Sequence, residues 1–199
     1  MTQVFLGFAP IGALNTGWCV WRTDKTAGTQ TVLKGESTSV DKALTAACEH
    51  FAETPDAVGI AAPLHWTTRD DREADRILRG MVLSLGGKSA TVPALPSVSG
   101  AKITGGVMLA AQILQRWGTM PVTEAASDVL LMMDSAVSEL DDALDVNSDA
   151  EKHATLAAYT ALASREQRHN WHDLRQFDKD SYEPVIGIKA AFWLPVTAC

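Results

Sequence analysis

Long apolar runs, paired cysteines and the usual nucleotide and hydrolase motifs are all missing from this chain of 199 residues. No stretch of about 18 apolar residues occurs, so a membrane span is not expected. Met1-Thr2-Gln3-Val4 has no basic region ahead of an apolar core, so no secretory signal is expected either. The 3 cysteines, Cys19, Cys48 and Cys199, are far apart and form no Cys-x-x-Cys pair. That argues against a structural zinc site and suits a reducing cytoplasmic setting. Cys19 and Cys48 read as small buried apolar residues. No Gly-x-Gly-x-x-Gly or phosphate-cradling Walker loop is found, and Gly105-Gly106 lacks the surrounding pattern. No Gly-x-Ser-x-Gly elbow marks a serine hydrolase.

Positive charge is also scarce. Lys and Arg total 17 against 24 Asp and Glu, a formal net charge of -7. Such a chain lacks the general attraction for polyanions of a typical nucleic-acid binder, although a local basic patch is compatible with it. What is abundant is apolar residues, 46% of the chain, enough for one globular domain with a sizeable core.

The first third reads as strands over residues 3–9, 17–23 and 29–34. Turns carrying Gly12, Asn15, Gly17 and Gly28 separate them, a spacing that implies antiparallel hairpins. Val40, Ala43, Leu44, Ala47 and Phe51 then recur at helical spacing over 39–53, ahead of Pro55. Val58–Ala62 is a short apolar run, as expected of a buried parallel strand. Arg69–Arg79 predicts a charged helix with Ala74, Ile77 and Leu78 inward, and Gly80 marks its end or an interruption. Residues 86–106, rich in glycine, proline and serine, read as a long loop. A helix over Val107–Trp117, a strand over Pro121–Ala125 and a helix from about Ser127 follow. Ser148-x-x-Glu151 has the form of a capping box opening another helix. Val185–Leu194 reads as a closing strand or extended tail. There is no internal repeat, and a mixed sheet with helices on both faces follows from this order.

Several short segments carry a resemblance. Val4-Phe5-Leu6-Gly7-Phe8-Ala9-Pro10 and Val58-Gly59-Ile60-Ala61-Ala62-Pro63-Leu64 look like the Gly-Ile-Asp and Ile-Asp-Ala-Pro-Leu strands of a known family. Arg72-Glu73-Ala74-Asp75-Arg76 is similar to its Arg-x-x-Asp-Arg helix. Val122-Thr123-Glu124-Ala125 is similar to its later Val-Ile-Glu strand, and His153–Ala161 to its Asp-Ala-Leu-x-Ala-Ala-x-Thr-Ala helix. Phe192-Trp193-Leu194-Pro195 resembles its closing segment. The chain thus resembles domain-of-unknown-function family 429, whose members are predicted ribonuclease H-like nucleases. The resemblance implies a single ribonuclease H-like α/β domain over 1–199. Its mixed sheet would have three antiparallel hairpin-linked strands followed by parallel strands, flanked by helices.

Nucleases of that fold hold Mg²⁺ or Mn²⁺ between clustered carboxylates, one ion activating water and the other stabilising the leaving oxygen. The matching positions here are Ala9, Ala61, Glu124 and His153, and only Glu124 keeps an acid. Alanine offers no oxygen to a hard cation. Histidine at the third altered position is not a knock-out residue, which favours natural divergence over engineering. The leading expectation is therefore a catalytically impaired protein acting as a binding or assembly module. The alternatives are a metal-dependent nuclease using Glu124, His153 and a displaced Asp149 or Asp145, and a structural homodimer without a nucleic-acid role.

Other candidates each have two readings. Arg72, Arg76 and Arg79, with Arg69 one turn earlier, form either a phosphate-contacting ridge or a solvated helix paired with its own Asp and Glu. Asp141, Asp142 and Asp145 form a solvated acidic face, and Asp149 favours a helix dipole if it is not a displaced ligand. His169-x-x-His172-Asp173 would bring two imidazoles together only on a helix. Trp18, Trp21, Trp171 and Trp193 read as core aromatics. Trp66, following the Ala-Pro-Leu strand, is the candidate binding aromatic.

Overall fold

The computed structural model describes residues 2–68, 71–133 and 138–195. Arg69 and Cys199 lie outside the described residues. Three long strands open the chain: β1 (Thr2–Gly12), β2 (Asn15–Asp24) and β3 (Thr29–Ser37), paired antiparallel in sequence order. The helix α1 (Val40–Cys48) then returns the chain to β4 (Ala57–Ile60), which pairs parallel with β1. Next come the short β5 (Trp66–Thr67), α2 (Glu73–Ser84), α3 (Gly100–Trp117) and β6 (Val122–Glu124), which is parallel to β4. The single turn α4 (Ser127–Leu130) precedes α5 (Asp149–Glu166), then β7 (Trp171–Asp173), β8 (Ser181–Tyr182) and β9 (Ala190–Pro195). The main sheet has seven strands in the order β3-β2-β1-β4-β6-β9-β7, and β5 pairs with β8 apart from it.

β1 lies mid-sheet with helices over both faces, so Val4 to Pro10 are all buried and read as one apolar run. One core gathers Leu6, Phe8, Val58 and Ile60 with α1 and α3 side chains such as Leu44, Leu109 and Ile113. The other gathers Phe5, Ala9, Cys19 and Ala61 with Ala154, Ala157 and Ala158 of α5. That second face is unusually close. A methyl group built on Gly7 would stand 2.0 Å from the Ala154 carbonyl oxygen. On Gly17 it would lie 1.9 Å from that of Ala150, and on Gly59 1.9 Å from that of Ala157. The α5 backbone therefore rests directly on a row of glycines across β2, β1 and β4, and the alanines of α5 are what allow the approach. Ser148 caps the helix as predicted, and the reciprocal bond of Glu151 falls one residue before the N-cap. Ser148 Oγ accepts from the Glu151 N–H at 3.2 Å, while Glu151 Oε2 reaches back to the Asn147 N–H at 2.9 Å.

The structure departs from expectation at several places, two of them at glycines. α3 starts at Gly100 rather than Val107, with the Ser99 hydroxyl accepting from the Lys102 N–H at 3.2 Å. Gly105 and Gly106, read as loop residues, lie within this helix, where a methyl group would meet Pro10 at 2.5 Å or Ala62 at 2.7 Å, so close packing and not a turn calls for glycine. α2 continues through Gly80 to Ser84, with Met81 and Val82 beyond the glycine buried in the core. The rest of the expected loop holds two short 3-10 turns, Ser89–Thr91 and Leu95–Ser97. The helix from Ser127 is only one turn long, and α1 stops before Phe51.

Candidate functional site

At the carboxyl ends of β4 and β6 the chain buries a network of charged side chains. Glu124 is the last residue of β6 and is 3% exposed. Arg72 caps α2 with its backbone and turns its guanidinium inward. Nη1 donates to Glu124 Oε2 at 2.8 Å and Nη2 to Oε1 at 2.7 Å, the paired geometry that makes Arg–carboxylate contacts strong. The same guanidinium donates through Nε and Nη2 to Asp75, at 2.9 and 2.7 Å, and lies over the Phe192 ring. Glu124 Oε2 also accepts from the Leu64 N–H at 2.9 Å and lies 3.2 Å from His65 Nδ1. His65, fully buried, reaches Asp178 Oδ2 through Nε2 at 3.0 Å. Asp178 accepts from the Glu73 N–H at 2.6 Å, and so closes the α2 start that Arg72 leaves without a side-chain cap.

Burial alone would raise the Glu124 pKa. The Arg72 and His65 charges and hydrogen bonds outweigh it and hold Glu124 down at about 2. For His65, burial disfavours the charged ring, yet the neighbouring Glu124 and Asp178 carboxylates win and raise its pKa. Asp75 moves the other way. Burial raises its pKa more than Arg72 lowers it.

Beside this network lies a cavity of about 180 Å³, lined by Ala61, Leu78, Val92, Ala125, Phe192 and others, with Arg72, Asp75 and Glu124 among its polar lining. The exposed Ser97 and Ser99 and the Lys102–Asp128 pair, 3.5 Å apart, line it as well.

The expected catalytic positions do not come together as a metal site. Ala9 is fully buried and lies directly opposite Gly17, under the start of α5. Ala61 is buried where β4 ends. Glu124, expected as a metal ligand, has both oxygens engaged by Arg72. His153 does not meet it. Its Nδ1 is 2.7 Å from the Ser127 hydroxyl, and burial lowers its pKa. Asp149 is exposed in the first turn of α5, away from any shared ligand set, and Asp145 is exposed. Mg²⁺ or Mn²⁺ requires several free oxygen donors, and these residues do not fit either ion. Among the described residues no group of three or more His, Cys, Asp or Glu side chains is placed to hold a metal.

The arginines of α2 are placed differently from one another. Arg72 points inward, Arg76 is exposed and pairs with Glu73 at 2.7 Å, and Arg79 pairs with Asp71 and donates to the Val92 carbonyl. They do not form a common phosphate-facing stripe, because Arg72 belongs to the N-cap and the buried acids draw it in. His172 and Asp173 lie on strand β7, so the helical spacing needed to pair His169 with His172 is absent. Asp173 instead accepts from the Phe192 N–H at 2.8 Å. Trp66 is half-buried on β5, edge-on to Tyr182, and does not line the cavity.

Sequence reasoning missed three members of the network. Asp75 was legible in the Arg72-x-x-Asp75 spacing, and His65 by its place after the Ala-Pro-Leu strand. Nothing local pointed to Asp178, which is brought in over 113 positions from His65.

The chain matches no known protein family, no curated protein and no solved structure with which it was compared.

Proposed function

We propose that this chain is a ribonuclease H-like protein that does not cut phosphodiesters and serves as a binding module, with its site in the crevice at the carboxyl ends of β4 and β6. The observation that carries the reading is the double hydrogen bond from Arg72 to Glu124, the one acid left among the four matching positions. Two-metal hydrolysis needs carboxylate oxygens free to bridge ions. Here the surviving carboxylate is neutralised by a guanidinium. The sheet supports the fold reading, since three antiparallel strands in hairpin order are followed by parallel β4, β6 and β9. Crevices beyond the carboxyl ends of parallel strands are where open α/β sheets generally bind ligands. The net charge of -7 and the ion pairing of Arg76 and Arg79 favour a ligand other than nucleic acid.

Calorimetric titration with Mn²⁺ tests this reading, paired with cleavage assays on single- and double-stranded DNA and RNA. The expected result is no saturable Mn²⁺ binding in the wild type and no metal-dependent cleavage. Saturable binding that disappears in Glu124→Ala, together with cleavage, would establish the nuclease alternative instead.

A further inference from the structure

The cavity beside Glu124 has a size, a lining and a charge balance that together select a class of ligand, an inference that rests on the binding-module reading above. Its volume of about 180 Å³ is close to that of a buried cavity able to admit benzene, about 150 Å³. It therefore takes one ring and a small head group, either a whole ligand or the end of a larger one reaching out past Ser97 and Ser99. Leu78, Val92, Ala125, Val129 and Phe192 offer apolar contact for such a ring.

The polar part of the cavity is unbalanced. One guanidinium, Arg72, serves two buried carboxylates, Glu124 and Asp75. Adding the His65–Asp178 pair with the imidazole charged contributes one charge of each sign, so the buried network still holds an excess negative charge. Glu124 is well satisfied, accepting from Arg72 and Leu64 and facing His65. Asp75 is not. Among the described residues it accepts only from Arg72, once on each oxygen, and a carboxylate has about four acceptor positions. It is 2% exposed and lines the cavity. The raised pKa of Asp75 agrees with a charge that lacks full compensation. An anionic ligand is disfavoured, because it would meet Asp75, Glu124 and Asp128, while Lys102 is already paired with Asp128.

The geometry points to a small ligand with an apolar, ring-sized body and a cationic hydrogen-bond-donating head, an amidine or primary amine, whose head is received by Asp75. The donor supplies the positive charge the buried network lacks, and the ring fills the apolar part of the cavity.

Benzamidine, benzoate and benzyl alcohol are close in size and differ in head-group charge, so they test the assignment. Titrated into the full chain and followed by amide NMR shifts, benzamidine is expected to move Ala61, Val92 and Ala125 saturably, and benzoate is not. Asp75→Asn keeps the shape and is expected to weaken benzamidine by roughly tenfold or more, as for loss of one charge-assisted hydrogen bond. Should that variant fail to fold, Ala126→Phe, at a half-buried lining position, fills the cavity and is expected to abolish the shifts. Benzoate or benzyl alcohol binding as tightly as benzamidine would overturn the ligand class while leaving the crevice a binding site. So would unchanged affinity in folded Asp75→Asn. Failure of all three probes to bind would overturn this assignment, while the Mn²⁺ titration and cleavage assays remain the test of the binding-module reading.

Discussion

Ala9 and Glu124 stand near the carboxyl ends of strands in one sheet, and the two ends have opposite character. Around Ala9 the packing is backbone against backbone. Gly17 lies opposite it, α5 rests on the glycine row, and Ala9 belongs to the apolar core that the α5 alanines join. A carboxylate at this fully buried position would need a charged or hydrogen-bonding partner to offset its desolvation. Around Glu124 the charge is kept and enclosed, with Arg72, His65 and the Leu64 N–H converging on two oxygens. One strand end thus carries alanine close under a helix, and the other carries a carboxylate held by a guanidinium. Both arrangements leave the position without a free oxygen.

The comparison breaks most sharply at Arg72. Arg72→Met removes the guanidinium between two buried carboxylates, and the expected destabilisation is about 3–5 kcal/mol in urea unfolding. A loss near zero would mean that Glu124 and Asp75 are not buried as described. Gly59→Ala tests the other end. A methyl group there lies 1.9 Å from a helix carbonyl, so α5 must move, with an expected loss of about 3 kcal/mol in the same assay. A neutral outcome would contradict the close seating of α5.

His65 sharpens the charged half through pH. Its pKa is raised, so the stability it contributes is complete below its ordinary value of 6.5 and is lost as pH rises through the raised value. Glu124 runs oppositely. Its contribution is complete above the ordinary 4.5 and is lost as pH falls toward about 2. His65→Gln is expected to remove the alkaline loss, worth about 1.4 kcal/mol for each unit of pKa elevation, and to leave the acid limb in place. Parallel alkaline limbs in wild type and variant would exclude the imidazolium. The smallest effect is expected at Arg76→Ala, within about 0.5 kcal/mol of the wild type, because its pair with Glu73 is solvent-exposed. Arg72 and Arg76, one helical turn apart, would then differ by most of the stability attributable to a buried ion pair.

Much of the scaffold was legible in the residues. Apolar runs bounded by Gly, Asn and Pro located β1, β2, β3 and β4. The Ser148-x-x-Glu151 pattern located the start of α5 to the residue. Glycine misled at the start of α3. Gly105 and Gly106 read as loop residues and serve as the seat of α3 on Pro10 and Ala62. The site was half legible. Glu124 and Arg72 stood out, yet as a metal ligand and a phosphate contact, because their mutual pairing spans 52 positions of chain.

By itself the sequence determined the acidic balance, the apolar periodicities and the presence of alanine, which offers no oxygen donor, at positions 9 and 61. These are properties of single residues or of near neighbours, where local geometry is set by bonding and by hydrogen bonds a few positions apart. Only the tertiary structure decided what the remaining charges do. Whether Glu124 is a ligand or one partner of a buried pair depends on which side chains from α2 and from the chain around Asp178 are delivered within 3 Å or so of its oxygens. Electrostatic roles in a buried site follow from distance and desolvation, and both arise only when the elements pack.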